Sequence, residues 1–320
     1  MPPAVTEERD RPQGQLDVDA ELVEDISALI DTDQRGMVMN LVADLYPADL
    51  SSLLAHLPLD EAKQLFHWLP IEDAGEVIAE LDGNLRAALL EQVQPARLTA
   101  LLDELDTDDA ADVLSELPDE VAQTVLPHLE DAADVEELLG YAEDTAGGIM
   151  GTEYVAVHAQ WTVADATEAV RRNAERIEEI FGVFVVDEEE HLLGTVSLKR
   201  LLLSPSHASV SSIMDTDTVS VETHVDQEEV ARIMQRYDLV SLPVVDAQNR
   251  LVGRITIDDI VDVIREEAEE DLQLMSGVSG GEEHSHSIIR VSRGRLPWLL
   301  TGLAGAGLSG FVIGTFEEDL

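Results

Sequence analysis

Asp259, Asp262, Glu266 and Glu270 are spaced by three, four and four residues. On a helix this spacing forms a single ridge, which Asp258 and Glu269 flank. Like charges so placed weaken an isolated helix by about 0.2–0.5 kcal/mol per pair, and a bound divalent cation reverses that sign. Across a contact between modules, two carboxylates about 4 Å apart repel by roughly 4 kcal/mol at an effective dielectric of about 20. That is enough to choose between two arrangements separated by a few kcal/mol. The chemistry on offer is therefore that of hard oxygen donors. Hard cations that prefer oxygen ligands fit it, and one or two carboxylates per ion can suffice. Other chemistries are missing. The chain has no cysteine, which removes disulfides, thiol catalysis and Cys-based zinc sites. No Ser/His/Asp set or paired acids suggest catalysis, so the chain reads as a non-enzyme. Gly147-Gly148 lacks a phosphate-loop lysine. His284 and His286, beside Glu282 and Glu283, offer a transition-metal set, for which a juxtamembrane loop is the simpler account. Met150, Met214 and Met234 read as core.

Composition gives most of the acids a bland role. Lys and Arg total 19 against 67 Asp and Glu, a formal charge of −48. Lysine occurs only at Lys63 and Lys199. Acid excess with so little lysine resembles a halophilic acidic protein, in which dense carboxylates hold hydration. No acid earns a functional reading by its charge alone. The same charge excludes nucleic acid, whose phosphates need clustered Lys and Arg. With 320 residues, 45% of them hydrophobic, the chain makes about two domains with real cores.

Residues 1–19 are polar, contain Pro and Gly, and read as a disordered lead-in without a secretory signal. From Leu45 a twelve-residue period runs through Leu57, Leu69, Leu81, Val93, Leu105, Leu117 and Leu129. Two further apolar registers run through Leu53–Val125 and Leu54–Leu126 with the same period. Pro47, Pro58, Pro70 and Pro118, or Asp82, Gln94 and Asp106, follow or stand near the first register. Proline is tolerated in a first helical turn and stops what precedes it. The period predicts helices of about nine residues that are marginal alone and stack into a superhelix over 20–140. Two β-rich stretches follow and resemble each other, with Val185-Val186-Asp187 and Val244-Val245-Asp246 offset by 59 residues. Each half reads β-α-β-β-α, a mixed α/β duplication with a cleft between copies. An acidic helix over 257–276 runs out of the second copy, then a Gly/Ser/His-rich loop over 277–295. Residues 296–316, 21 in a row without charge, span roughly 31 Å as a helix, about a hydrocarbon core. Arg290, Arg293 and Arg295 precede this run, which places 1–295 in the cytoplasm and the chain in the cell membrane. The small stripe Gly302, Ala306, Gly310, Gly314 invites another membrane helix.

The duplicated halves, 141–205 and 206–264, resemble tandem CBS motifs. That likeness implies a cleft for ATP or another adenine nucleotide, with Thr256 and Asp259 as ribose contacts. The first copy has Ser197-Leu198-Lys199-Arg200 and lacks the acid. The order of parts resembles the MgtE family of magnesium channels and transporters: acidic superhelix, CBS pair, connecting "plug" helix, first transmembrane helix. The strings that carry it are YAEDTAGGIM at 141–150, DQEEVARIMQRYDLVSLPVVD at 226–246, the helix from Ile257 to Leu272 and Arg295-Leu296-Pro297-Trp298. The resemblance implies Mg²⁺ as both regulator and cargo, held by Asp109 and Asp112 in the superhelix. It adds Asp226, Glu228 and Asp238 in the second CBS copy and Asp259, Asp262, Glu267, Glu270 and Asp271 on the connecting helix. It also implies a homodimer through the CBS domains. The family carries five membrane helices and this sequence reaches only the first. The expectation is therefore a separate chain with the remaining pore helices, a truncation, or a regulatory relic. The rival expectation is a membrane-tethered adenine-nucleotide sensor regulating another protein.

Overall fold

The computed structural model of the chain describes residues 20–276 except 92, 175 and 178, without the side chains at 269–271 and 273–276. The expected lead-in, the loop 277–295 with His284 and His286, and the span 296–316 lie outside the described residues. Among the described residues, no helix is long and apolar enough to cross a membrane. One compact unit holds the described residues up to His224 together with Pro243–Arg254, and a second holds Val225–Leu242 and those from Ile255 on.

The first unit begins with α1 (Ala20–Asp31) and α2 (Arg35–Val42). Seven helices then start at intervals of twelve residues: α3 (Pro47–His56), α4 (Leu59–Trp68), α5 (Ile71–Ala79), α6 (Gly83–Leu90), α7 (Pro95–Leu102), α8 (Thr107–Glu116) and α9 (Asp119–Val125). The helix α10 (Ala132–Leu138) ends the array. The period is thus the helix-to-helix repeat, and its apolar registers are the core. Leu53, Leu65, Val77, Leu89, Leu101, Val113 and Val125 are all buried. Neighbours in space are two apart in sequence: α3 packs on α5, α5 on α7, α7 on α9, and α4 on α6. Each short helix completes its apolar cover only by stacking, as a solenoid requires.

The duplicated halves follow. The first has β1 (Ala156–His158), α11 (Val163–Asn173), β2 (Gly182–Val186), β3 (Leu192–Ser197) and α12 (Leu198–Leu203). Its sheet has the order β1-β2-β3, parallel then antiparallel, with Val157 opposite Val185 and Val183 opposite Val196. The helix between β1 and β2 supplies the crossover that a parallel pair needs. Valines of this sheet and Val163, Ala166 and Leu201 of its helices form one core. After the short α13 (Val210–Ile213), the second copy repeats the plan with β4 (Val221–Glu222), α14 (Gln227–Tyr237), β5 (Ser241–Val245), β6 (Leu251–Thr256) and α15 (Ile257–Ser276). In the second unit α14 packs along α15, burying Val230 and Met234 of one and Ile260 and Val263 of the other.

Candidate functional site

The start of α15 is built by the motif read as a ribose contact. Asp259 Oδ2 accepts from Thr256 N at 2.8 Å and from Thr256 Oγ1 at 2.7 Å. Thr256 Oγ1 also bonds Asp258. The acid three residues on reaches back to satisfy a backbone donor that the helix itself leaves unpaired. Thr256 and Asp259 therefore hold each other, and a ribose hydroxyl would have to share their remaining lone pairs. In the first copy Ser197 Oγ accepts from Arg200 N at 3.3 Å, and the Arg200 guanidinium donates to Ile213 O at 2.9 Å. No acid stands there to receive a ribose, as the sequence indicates.

The other carboxylates of the second unit lie on α14 and α15. Asp226 begins α14 and accepts from Glu228 N at 3.0 Å. Glu228 holds Arg232 at 2.6 Å and Glu229 holds it at 3.2 Å. The Glu229 bond, together with the Glu228 charge, raises the Arg232 pKa. Asp238 closes α14 in the left-handed region with φ 52°. On α15, Asp262 is exposed and Asp259 and Glu267 are half-buried. Glu267 Oε1 accepts from Gln227 Nε2 at 2.8 Å, which ties the two helices. The side chains of Glu270 and Asp271 lie outside the described residues.

In the first unit, Asp109 and Asp112 sit on α8 within the field of an arginine. Arg86 donates to Glu116 at 2.8 Å. Burial works against its charge, yet Glu116, Asp112 and Asp109 together raise its pKa. A cation drawn to Asp109 and Asp112 would thus compete with a fixed guanidinium.

A trio that sequence reasoning missed lies at the start of α8. Ligand oxygens of Asp106, Asp108 and Glu153 lie within 4.8 Å of one another, the one group of three such residues among those described. Glu153 is 5% exposed and the one buried acid among the described residues. It accepts from Thr107 N and from Thr107 Oγ1, both at 3.1 Å. Three hard oxygen donors suit Mg²⁺ better than any softer cation. The linear signal for Asp106 and Asp108 was the helix start in the repeat. Nothing in the sequence shows that Glu153 folds back over 46 residues to meet them.

A cavity of about 360 Å³ lies nearby, lined by Asp134, Glu137, Met150, Tyr154 and Arg176 among others. Tyr154 donates to Leu251 O at 3.3 Å. Burial, and then the charges of Glu190, Asp134 and Glu137, push its hydroxyl up to about 12.

Known proteins share this architecture. The model of the MgtE intracellular N domain matches residues 45–144, and that of the CBS domain matches 146–206 and 210–266. The magnesium transporter MgtE of Bacillus subtilis (strain 168) is 32% identical over 283 residues, which are 88% of this chain and 63% of that protein. A crystal structure of the soluble part of a magnesium transporter superimposes with a TM-score of 0.68 at 30% identity, covering 78% of this chain and 98% of that one. The cytosolic domain of the Mg²⁺ channel MgtE, solved in complex with ATP, superimposes with a TM-score of 0.69 at 38% identity, covering 74% and 97%. The chain spans 42%, 63% and 32% of the length of the three curated magnesium transporters it matches.

Proposed function

Since this chain belongs to the MgtE family of magnesium transporters, we propose that it is the cytosolic Mg²⁺-sensing part of a magnesium transport protein and works as a homodimer through its CBS domains at the cell membrane. The observation that carries this reading is its alignment, at 38% identity over 97% of the length, with a Mg²⁺ channel's cytosolic domain. The donor chemistry agrees, since the chain offers many carboxylates and no thiolate. Asp109, Asp112, Asp226, Glu228, Asp238, Asp259, Asp262, Glu267, Glu270 and Asp271 are the residues that would hold the regulatory ion. When bound, Mg²⁺ neutralises carboxylates that otherwise repel. Without it, neighbouring acids within each element repel, and Arg86 beside Asp109 and Asp112, and Arg232 beside Glu228 and Glu229, offset them locally. Leu202 and Leu203 of α12, 76% and 77% exposed, support a second copy packing on the CBS domains.

Protease protection with graded Mg²⁺ at fixed high KCl tests the reading. Protection should rise over the millimolar range and be lost in Asp259→Ala/Asp262→Ala. Asp262→Ala alone separates ion binding from the helix start, because Asp262 is exposed and outside the Thr256–Asp259 pair. Protection that ignores Mg²⁺ at every concentration would overturn it.

An adenine-nucleotide reader is the second reading, favoured by the ATP bound to the homologous cytosolic domain. Saturable ATP binding with no Mg²⁺ effect would make it the better account. The acids would then serve solubility, and the chain would regulate another protein.

A further inference from the structure

The cavity of about 360 Å³ lies where the end of the superhelix meets the CBS pair, within the first unit. That volume is in the range of small-molecule sites, about 300–1,000 Å³, and boundaries between modules are a common place for them. Its floor is apolar. Leu138 of α10 and Met150 of the segment that opens the first CBS copy are buried, and Val252 of β6 is half-buried. Its rim carries both signs of charge. Asp134 and Glu137 lie one turn apart on α10, and Arg176 stands just after α11. The charges of Asp134 and Glu137 both act on the hydroxyl of Tyr154, which lines the same space.

The chain leaves these groups largely unspent. Asp131, Asp134 and Glu137 follow one another along α10 at a spacing of three. Arg176 approaches only the first of them, Asp131, at 3.8 Å, with both side chains about half exposed. An open contact of that kind is worth little. Among the described residues, no hydrogen bond takes up the Arg176 guanidinium or the Asp134 carboxylate. Glu137 has one long bond, from the Tyr141 hydroxyl at 3.4 Å.

We infer that this cavity binds a small zwitterion with an apolar side chain, an α-amino acid such as leucine. Its ammonium sits at Asp134 and Glu137, its carboxylate at Arg176 and its side chain on the floor of Leu138, Met150 and Val252. A plain anion would meet two carboxylates, and a plain cation would leave the guanidinium unmatched. A hydrated metal ion has no use for an aliphatic floor. A ligand with both charges on one carbon and an apolar tail uses all three features. Its polar contacts are of the charge-assisted kind, which are the strong ones. Tyr154 donates to Leu251 O, so its hydroxyl keeps lone pairs that can accept from the ammonium. None of these residues belongs to the set assigned above to Mg²⁺, and the inference does not rest on that reading.

Isothermal titration calorimetry of the full chain with leucine, at fixed high KCl, tests it. Saturable binding at a single site is expected. Isoamylamine is leucine without the carboxylate, and isocaproate is leucine without the ammonium. Each should bind at least about tenfold more weakly, the scale of one lost charge-assisted hydrogen bond. Glycine, which has no side chain for the floor, should also be at least about tenfold weaker. Glu137→Gln should weaken leucine about tenfold. Arg176→Gln should do the same and should not weaken isoamylamine. Both residues are exposed, so these variants should keep the parent circular dichroism. Leucine that shows no saturation at millimolar concentration overturns the inference. So does isoamylamine, isocaproate or glycine binding as tightly as leucine, or leucine binding that either variant leaves unchanged. The analogue series uses the parent chain and stands even if a variant fails to fold.

Discussion

In both CBS copies the last strand has a glycine followed by a residue that pairs with the opening segment of the other copy. Thr195, after Gly194, exchanges hydrogen bonds with Asp215 at 3.0 and 2.8 Å. Arg254, after Gly253, does the same with Gly151 at 2.9 Å in both directions. The copies therefore close on each other reciprocally. They differ in what else hangs on the junction. At the first, Thr195 Oγ1 meets Thr218 Oγ1 at 3.1 Å. At the second, the guanidinium of Arg254, a residue only 7% exposed, donates to Glu179 O at 2.6 Å. Two residues past Gly151, Glu153 reaches α8 of the superhelix. A duplicated backbone device has been kept, and the second junction alone couples it to another module. Divergence between the copies lies in side chains rather than in pairing.

The largest expected contrast is between the two glycines. A Cβ at Gly194 would lie 2.2 Å from Asp215 O and 3.1 Å from the carbon of that carbonyl, so it meets backbone that is already paired. At Gly253 the nearest atoms are Met150 Sδ at 2.6 Å and Cγ at 2.9 Å, with Gly151 O at 3.0 Å. A methionine side chain can move aside, and the bonded carbonyl of Gly151 stands farther from this Cβ than that of Asp215 does from the other. Gly194→Ala should cost about 3 kcal/mol and Gly253→Ala about 1 kcal/mol, within the range for overpacking, as measured by urea denaturation. Equal costs would mean that the Met150 side is as rigid as the Asp215 side.

A smaller contrast separates the helices that leave these strands. Thr256 donates twice to Asp259 at the start of α15, from N and from Oγ1, and α15 runs for 20 residues. Ser197 has one longer bond to Arg200 N, and α12 stops after 6 residues. Thr256→Ala should cost about 1 kcal/mol and Ser197→Ala about 0.5 kcal/mol, the scale of strong and weak helix caps. Circular dichroism through thermal unfolding reads both. If Ser197→Ala is the costlier change, the Asp259 carboxylate does not matter to the second copy.

Much of this organisation was legible in the chain because it is periodic or local. The twelve-residue spacing of Leu45, Leu57 and Leu69 marks helix starts directly, since each helix and its turn consume one period. Val-Val-Asp and the glycine-bearing strands repeat with one offset, which reveals two copies. The Thr-x-x-Asp string carries the family association with ribose, and its local geometry also builds the start of α15. What stayed hidden depends on the return of distant chain. Asp109 and Asp112 share the field of Arg86 because a neighbouring repeat brings that residue alongside. Glu153 reaches Thr107 because the segment after the superhelix doubles back. Neither contact leaves a mark on spacing. With 67 acids in the chain, no single carboxylate stands out until burial singles it out.

The smallest effect would sharpen the same comparison by pH. Each opening segment carries a hydroxyl toward a strand: Thr218 at the first junction and Tyr154 at the second. Only Tyr154 titrates in an accessible range. Its hydroxyl bonds Leu251 O on β6, and its ring lies edge-on to Phe184 on β2, with centroids 6.0 Å apart. Burial first, then Glu190, Asp134 and Glu137, raise its pKa from the usual 10.0 to about 12. The folded chain therefore holds this proton over a range in which the unfolded chain has released it. Stability depends on pH through the difference in bound protons, so a raised phenol contributes fully below the unfolded value. That contribution is lost as pH climbs through the folded one. Denaturation midpoints should hold up to about pH 10 and then fall toward pH 12. Tyr154→Phe should cost about 1 kcal/mol at neutral pH, the net worth of one hydrogen bond, and should flatten most of the alkaline fall. Part of the fall should remain, because burial and Glu137 also raise Tyr141. An unchanged alkaline slope in Tyr154→Phe would mean that the second junction, like the first, carries no titrating group that matters to it.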